Sequence, residues 1–387
     1  MRKAIFTLIG VLLLLCGGSA FAAPLGLKWF KPVLSSGPCL DSLVSQPRVG
    51  EGCLSYVQHE KAGVMADPSG ELLYVGGSDK LLHVFSRKGT ELSSHPLPAN
   101  LMTTPIFEEG QLFFGTDKGQ VLSVNTTSFA STWSTQLDAE VENVLVLDGT
   151  TLYVVTGLCT LYALDKGTGE VKWVKKRPPP SRMFLRLLST PLLFHTEQNG
   201  VATSLLAAGH PTGKIGIYDA NSGAVVREVM LGDPKAQFPD VVTDPVWTGN
   251  SVIAASFASG IVAIDPLTGT KRWRLEKKDI TRLAYANDLV IAAGAKIVLG
   301  IDPQKGTVVW EYSFDKGAPT RLLVANNRVY FGSDKSGLFV LDQKSGKELG
   351  VYGSGLGFAG DLLRNQAQLF AVSAPGYLYA FQEGGRN

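Results

Sequence analysis

Few residues in this chain of 387 could do chemistry, and their spacing limits what that chemistry could be. Four cysteines are present: Cys16, Cys39, Cys53 and Cys159. The five histidines, His59, His83, His95, His195 and His210, share no spacing, and C-x-x-C, H-E-x-x-H and the EF-hand pattern are all absent. No metal site or nucleophile with a paired base is therefore legible. Cys39 and Cys53 flank a stretch containing Gly, Pro and Ser, and in an exported, oxidising setting they are expected to form a disulfide, closing a loop of about 15 residues worth ~3 kcal/mol in the chain-entropy model. Cys159 is left over and reads as a buried thiol beside the Gly157 turn. The remaining candidate is Met183-Phe184-Leu185-Arg186-Leu187-Leu188, which follows three consecutive prolines. Apolar residues flanking a guanidinium that can grip a carboxylate bidentately suit a contact surface better than a reaction centre.

These residues are carried on a repeat. Ala163 to Trp173 (ALDKGTGEVKW) reads hydrophobic-x-Asp-x-x-Thr-Gly-x-x-x-Trp, and Ala263 to Trp273 (AIDPLTGTKRW) repeats it in full. Gly300 to Trp310 keeps Asp302, Gly306 and Trp310, whereas Ser123 to Trp133 has Asn125 for the Asp. Weaker copies centre on Ser86, Asp219, Asp342 and Gln382, giving eight at intervals of 39, 40, 54, 46, 37, 40 and 40 residues. A period near 40 signals a repeat architecture. Locally, alternating apolar residues lead into an Asp that can bond nearby backbone N–H groups, and Gly169 supplies positive φ for a hairpin turn. Five of the six tryptophans occupy the last motif position or its equivalent, Trp29, where they would pack on the neighbouring unit.

Two further strand-like runs precede each motif. In Thr104 to Val124, Pro105 to Phe107, Leu112 to Gly115 and Val121 to Val124 read as three strands, and the strand ending in Trp133 as the fourth. Four short antiparallel strands per repeat make a propeller blade. The expected fold is all-β: one eight-bladed β-propeller over residues 23–387. The eighth motif stops at Gln382 to Asn387 without its last strand, and Gly26-Leu27-Lys28-Trp29-Phe30 resembles Glu170 to Val174. The N-terminal strand should close the ring, because terminal blades would otherwise present unpaired edges. Two intervals are over-long. One contains Lys175 to Pro191, or else a longer turn at His195 to Gly200; the other is Leu231 to Val242. Met183 to Leu188 reads either as a loop or as an extended inner strand of blade 4. Insertions map to one face of a repeat ring, often the binding face.

Arg2 and Lys3, the apolar run Ala4 to Leu15, and Ala20-Phe21-Ala22 read as a secretory signal peptide, residues 1–22, with an A-x-A cleavage site. Cys16 raises a lipid-anchored alternative, which Leu15 disfavours because a lipobox needs a small residue there. The formal charge of +2 falls to neutrality once Arg2 and Lys3 leave with the leader. With no basic run interleaved with aromatics, nucleic acid and bulk anionic lipid are poor partners.

The tryptophan-ended hairpin resembles the docking repeat of quinoprotein-type propellers, and the whole mature chain is similar to the BamB family of outer-membrane-protein assembly factors. That family carries a Leu-x-Leu-Arg segment after blade 3, leading into Ser-x-Pro. Here Met183-Phe184-Leu185-Arg186 precedes Ser189-Thr190-Pro191. The family's Asp-x-Asp in the next inter-blade loop is represented by Asp240 alone, since Val242 replaces the second acid. The resemblance implies a non-enzymatic periplasmic scaffold, peripheral to the outer membrane. It implies binding of the POTRA modules of the BamA-like barrel-assembly protein through Met183, Leu185, Arg186 and Asp240, which should form one exposed patch on one face of the ring, with unfolded outer-membrane proteins as a second partner class. A monomer without a cofactor is expected. A generic periplasmic peptide- or glycan-binding propeller stays open. A quinoprotein dehydrogenase is disfavoured, because that chemistry needs a quinone, a Ca²⁺ site and, in many members, adjacent cysteines, and the chain has no Cys-Cys pair.

Overall fold

The motif Asp folds its hairpin by accepting from the backbone ahead of it. Asp165 Oδ1 takes the N–H groups of Gly167 (2.9 Å) and Thr168 (3.1 Å), and Asp302 Oδ1 those of Gln304 (2.8 Å) and Lys305 (3.0 Å). A side-chain bond from Lys172 and these backbone donors hold the Asp165 carboxyl below its ordinary value. Gly169 then turns the chain at φ 75°, a conformation L side chains rarely adopt. A register shift falls just before the Asp in every such hairpin, as between Ala163 and Leu164 or Gly300 and Ile301. Such bulges sharpen twist and re-aim the next side chain.

The computed structural model describes residues 24–33, 63–143, 145–177, 185, 189–198, 200–354 and 357–384. They form 32 strands in eight four-stranded antiparallel sheets, the blades of a propeller. Blade 1 spans residues 64–96, blade 2 106–136, blade 3 146–175, blade 4 192–230, blade 5 246–275, blade 6 280–313 and blade 7 323–353. Blade 8 joins the two ends of the chain. Leu25–Pro32 pairs with Tyr377–Glu383, with Trp29 opposite Ala380. The expected strands in residues 104–133 lie within a residue or two of those observed, except that Trp133 sits inside Ser131–Gln136 rather than at its end.

Eight apolar clusters hold the ring together, one per blade interface. One joins Phe194 and Leu205 of blade 4 to Val252 and Val262 of blade 5; another closes the circle by joining Phe370 and Leu378 of blade 8 to Val64 and Leu73 of blade 1. Each tryptophan on an outer strand adds a clasp to the next blade. Its indole N–H donates to a carbonyl in the neighbouring turn: Trp133 to Lys166 O (2.9 Å), Trp173 to Ala220 O (3.0 Å), Trp273 to Pro303 O (2.8 Å), Trp310 to Gln343 O (2.9 Å) and Trp29 to Arg87 O (3.3 Å). The turn glycine lies flat against the ring, and a Cβ on Gly169 would come 2.5 Å from Trp133. Arg227 takes the tryptophan's place on blade 4 and donates to Leu267 O, whereas blade 7 has Gly350 packed near Pro24, where split blade 8 offers no hairpin turn.

The excess length before Asp219 is partly a longer hairpin. Leu192–Gln198 and Val201–Gly209 stay paired out to Gln198 and Val201, in agreement with the longer-turn reading. The signal peptide, Cys16, Cys39, Cys53, Met183 and Arg186 lie outside the described residues, and so does most of the Met183 to Leu188 run.

Candidate functional site

In each blade the second-to-third hairpin turn shares one face of the ring with the connection to the next blade. On that face the two over-long connections meet. The backbone N–H of Leu185 donates to Asp240 Oδ1 at 3.0 Å, linking the segment after blade 3 to the one after blade 4. Asp240 is only 1% exposed. This corrects the expectation of an exposed acid beside Leu185, because Asp240 lies beneath the surface and holds the backbone at Leu185. Val241 and Val242 are buried with it, so the position where the family's second acid was expected is part of the core. Burial pushes the Asp240 carboxyl above its ordinary value, and Oδ2 has no hydrogen-bond partner among the described residues. Leu185 itself is partly exposed.

Ser189 and Thr190 lie nearer the centre of the ring. Ser189 Oγ accepts from Gly209 N–H (3.2 Å) and Thr190 N–H donates to Asp244 Oδ1 (2.6 Å). Arg321 of the segment entering blade 7 reaches across to both Thr190 Oγ1 and Asp244 Oδ2, each at 2.8 Å. Asp361, entering blade 8, accepts from Thr104 Oγ1 at 2.8 Å, and its carboxylate lies 4.0 Å from Arg321 Nε. Contacts between non-adjacent blades can occur only near the axis, so these groups line the centre of the ring. Burial opposes the Arg321 charge, but Asp244 and Asp361 hold its guanidinium above its ordinary value; burial pushes Arg282 down. Sequence reasoning missed this ring. The available signal was the equivalent placing of Asp244, Arg282, Arg321 and Asp361 at the heads of four successive inner strands.

Other candidate chemistry is dispersed. Cys159 is buried at φ 62°, and burial pushes its thiol up, against thiolate formation. His83 lies between Asp79 Oδ2 (2.9 Å) and Glu91 Oε1 (2.8 Å) within blade 1. His95 stacks on Phe129 with centroids 3.6 Å apart, His195 meets Ser204 Oγ at 3.0 Å, and His210 meets Thr212 Oγ1 at 2.6 Å. Among the described residues no three His, Cys, Asp or Glu side chains gather as a metal set.

The comparisons bear on the family and the fold. The family model for outer membrane protein assembly factor BamB matches residues 78–312 and 258–386. The chain belongs to the BamB family. Its fold is similar to that of BamB from Moraxella catarrhalis, with a TM-score of 0.69 and 17% identity over 83% of this chain and 96% of that one. It is similar in the same sense to the computationally designed Ika8 protein (TM-score 0.68, 15% identity, 84% and 97% covered). Saccharomyces cerevisiae Sqt1 gives a TM-score of 0.69 at 13% identity, with 86% and 97% covered. No curated protein sequence matches the chain. At these identities the structural likenesses establish the propeller, and membership of the BamB family rests on the family model. Other propellers share the architecture without sharing a function.

Proposed function

We propose that this BamB-family propeller is a non-enzymatic periplasmic scaffold at the inner face of the outer membrane. On this reading it binds the POTRA modules of the barrel-assembly protein and assists folding and insertion of outer-membrane β-barrels. The observation that carries the proposal is the meeting of the two over-long connections at the bond between Leu185 and Asp240. Holding the backbone at Leu185 on a buried carboxylate lowers the entropy that this residue loses on docking. Met183, Leu185 and Arg186 would supply the contact, and Asp240 would hold the Leu185 backbone from beneath.

The test is Leu185→Ala with Arg186→Ala, titrated against the isolated POTRA modules, with circular dichroism of the variant. Truncating a hot-spot residue costs ~2 kcal/mol or more, a loss of roughly 30-fold in affinity. A folded variant that binds as tightly as the wild type overturns this docking site.

A further inference from the structure

At the position three residues before the motif Asp, the eight blades carry His83, Leu122, Tyr162, Gly216, Val262, Leu299, Phe339 and Tyr379. These side chains face the preceding blade. Blade 4 alone has glycine, and part of the space is taken by the Tyr218 hydroxyl, against which a Cβ on Gly216 would collide. The rest is a cavity of about 170 Å³ at the interface of blades 3 and 4. Arg177, His210, Thr212, Lys214, Tyr218 and Glu228 line it.

Arg177 is 8% exposed. Its Nε donates to Cys159 O at 2.6 Å and its Nη1 to Gly209 O at 2.9 Å, which fixes the guanidinium at the cavity wall. These carbonyls and the Tyr218 hydroxyl, which also meets the guanidinium, are all neutral, and among the described residues no carboxylate forms an ion pair with Arg177. Burying a guanidinium without an anion is costly unless something supplies the charge. Glu228, the acid of this cavity, is occupied by Lys214 at 2.9 Å. Two other acids of the region are also engaged: Asp138 accepts from Thr156 and Thr160, and Asp240 from Leu185. The lining therefore sets Arg177 and Lys214 against a single carboxylate. The Val241 N–H donates to His210 O at 3.1 Å, so this wall adjoins Asp240, the anchor of Leu185.

We infer that the Arg177 cavity is a carboxylate-binding site that receives an acidic side chain from the protein docking beside it. The chemistry fits one carboxylate: a fixed guanidinium, a lysine at the rim and hydroxyls from Thr212 and Tyr218, in a space suited to a Glu-sized group. The partner half of the inference rests on the proposed docking function, whereas the pocket itself does not.

The first experiment titrates the full chain with glutarate in chloride-free buffer, by calorimetry. Saturable binding is expected, weakened at least about tenfold in Arg177→Met and about threefold in Lys214→Met. Arg177 also ties two carbonyls, so that variant could misfold; Lys214 is half exposed and its variant decides the matter if so. No binding by the wild type, or binding that Lys214→Met and a folded Arg177→Met leave unchanged, overturns the site. The second experiment titrates the same proteins with the POTRA modules. A comparable loss with a shallower salt dependence supports entry of the partner's carboxylate, and unchanged affinity overturns that half. If the wild type does not bind these modules, the docking function falls and takes the partner half with it, while the glutarate result still decides the pocket.

Discussion

Asp240 and His83 are two buried ionisable groups whose environments act in opposite senses. Burial raises the Asp240 carboxyl, so its ionised form costs stability at neutral pH. The protonated form is the better tolerated one below the ordinary carboxylate value, and that advantage is lost as pH rises through the raised folded value. Asp240→Asn keeps an acceptor for Leu185 and removes the charge. Its melting temperature should exceed that of the wild type at pH 7.5, with the gap closing toward pH 4. Asp240→Ala, which removes the acceptor, should cost on the order of 1–3 kcal/mol. At His83 burial works against the charge, but bonds to Asp79 and Glu91 prevail and raise the imidazole above its ordinary value. Stabilisation by the imidazolium is therefore complete below the ordinary histidine value and lost as pH rises through the folded one. Blade 2 uses Leu122 at the same position, so His83→Leu should fold. It should be less stable than the wild type at pH 6, on the order of 1 kcal/mol given that Glu91 is half exposed, and the difference should vanish by pH 9. Thermal melts across pH check both.

Among the elements, the tryptophan clasp separates two roles of glycine. Gly149 and Gly169 both have positive φ, at 53° and 75°. Nothing lies within 4 Å of a Cβ built on Gly149, whereas one on Gly169 would strike Trp133. Gly149→Ala should cost about 1 kcal/mol from backbone strain alone. Gly169→Ala should cost about 2–3 kcal/mol, because the indole must also leave its seat. Chemical denaturation of the two variants measures the difference; equal losses would mean that the clasp contributes no packing. The same logic accounts for blade 7. With no hairpin turn in blade 8 to receive an indole, the Trp position holds Gly350, and the Tyr352 hydroxyl instead accepts the Leu25 N–H at 2.8 Å.

Across the whole molecule, Arg321 ties the segment entering blade 7 to those entering blades 4 and 5, and Asp361 ties blade 8 to blade 2. The apolar clusters join only neighbouring blades, so these axial bonds are cross-braces of a different kind. Arg321→Met should cost about 1–2 kcal/mol, discounted because both partners remain partly exposed in the channel. Arg272→Met, which breaks the exposed pair with Asp265 inside one hairpin, should cost no more than about 0.5 kcal/mol. Melting temperatures of the two variants test the ranking. Because Thr190 is shared between the brace and the exit of the Leu185 segment, Arg321→Met should also weaken binding of the POTRA modules, a consequence calorimetry can read.

The architecture was legible in the sequence because it is written locally and eight times. A hairpin needs its Asp, its positive-φ glycine and its apolar alternation within about a dozen residues, and the period of those marks sets the blade count. Even ring closure could be read, since Trp29 carries the missing half of a repeat. The site was legible only in part. That two over-long connections follow blades 3 and 4 is a matter of spacing, and their meeting followed from adjacency. The burial of Asp240 was not legible, because a carboxylate in a turn-rich segment looks solvated until the chain on every side of it is placed. Arg177, Arg282 and Arg321 each sit beside unremarkable neighbours in sequence. Their environments are made by residues tens to more than a hundred positions away, and only the closed ring brings those together.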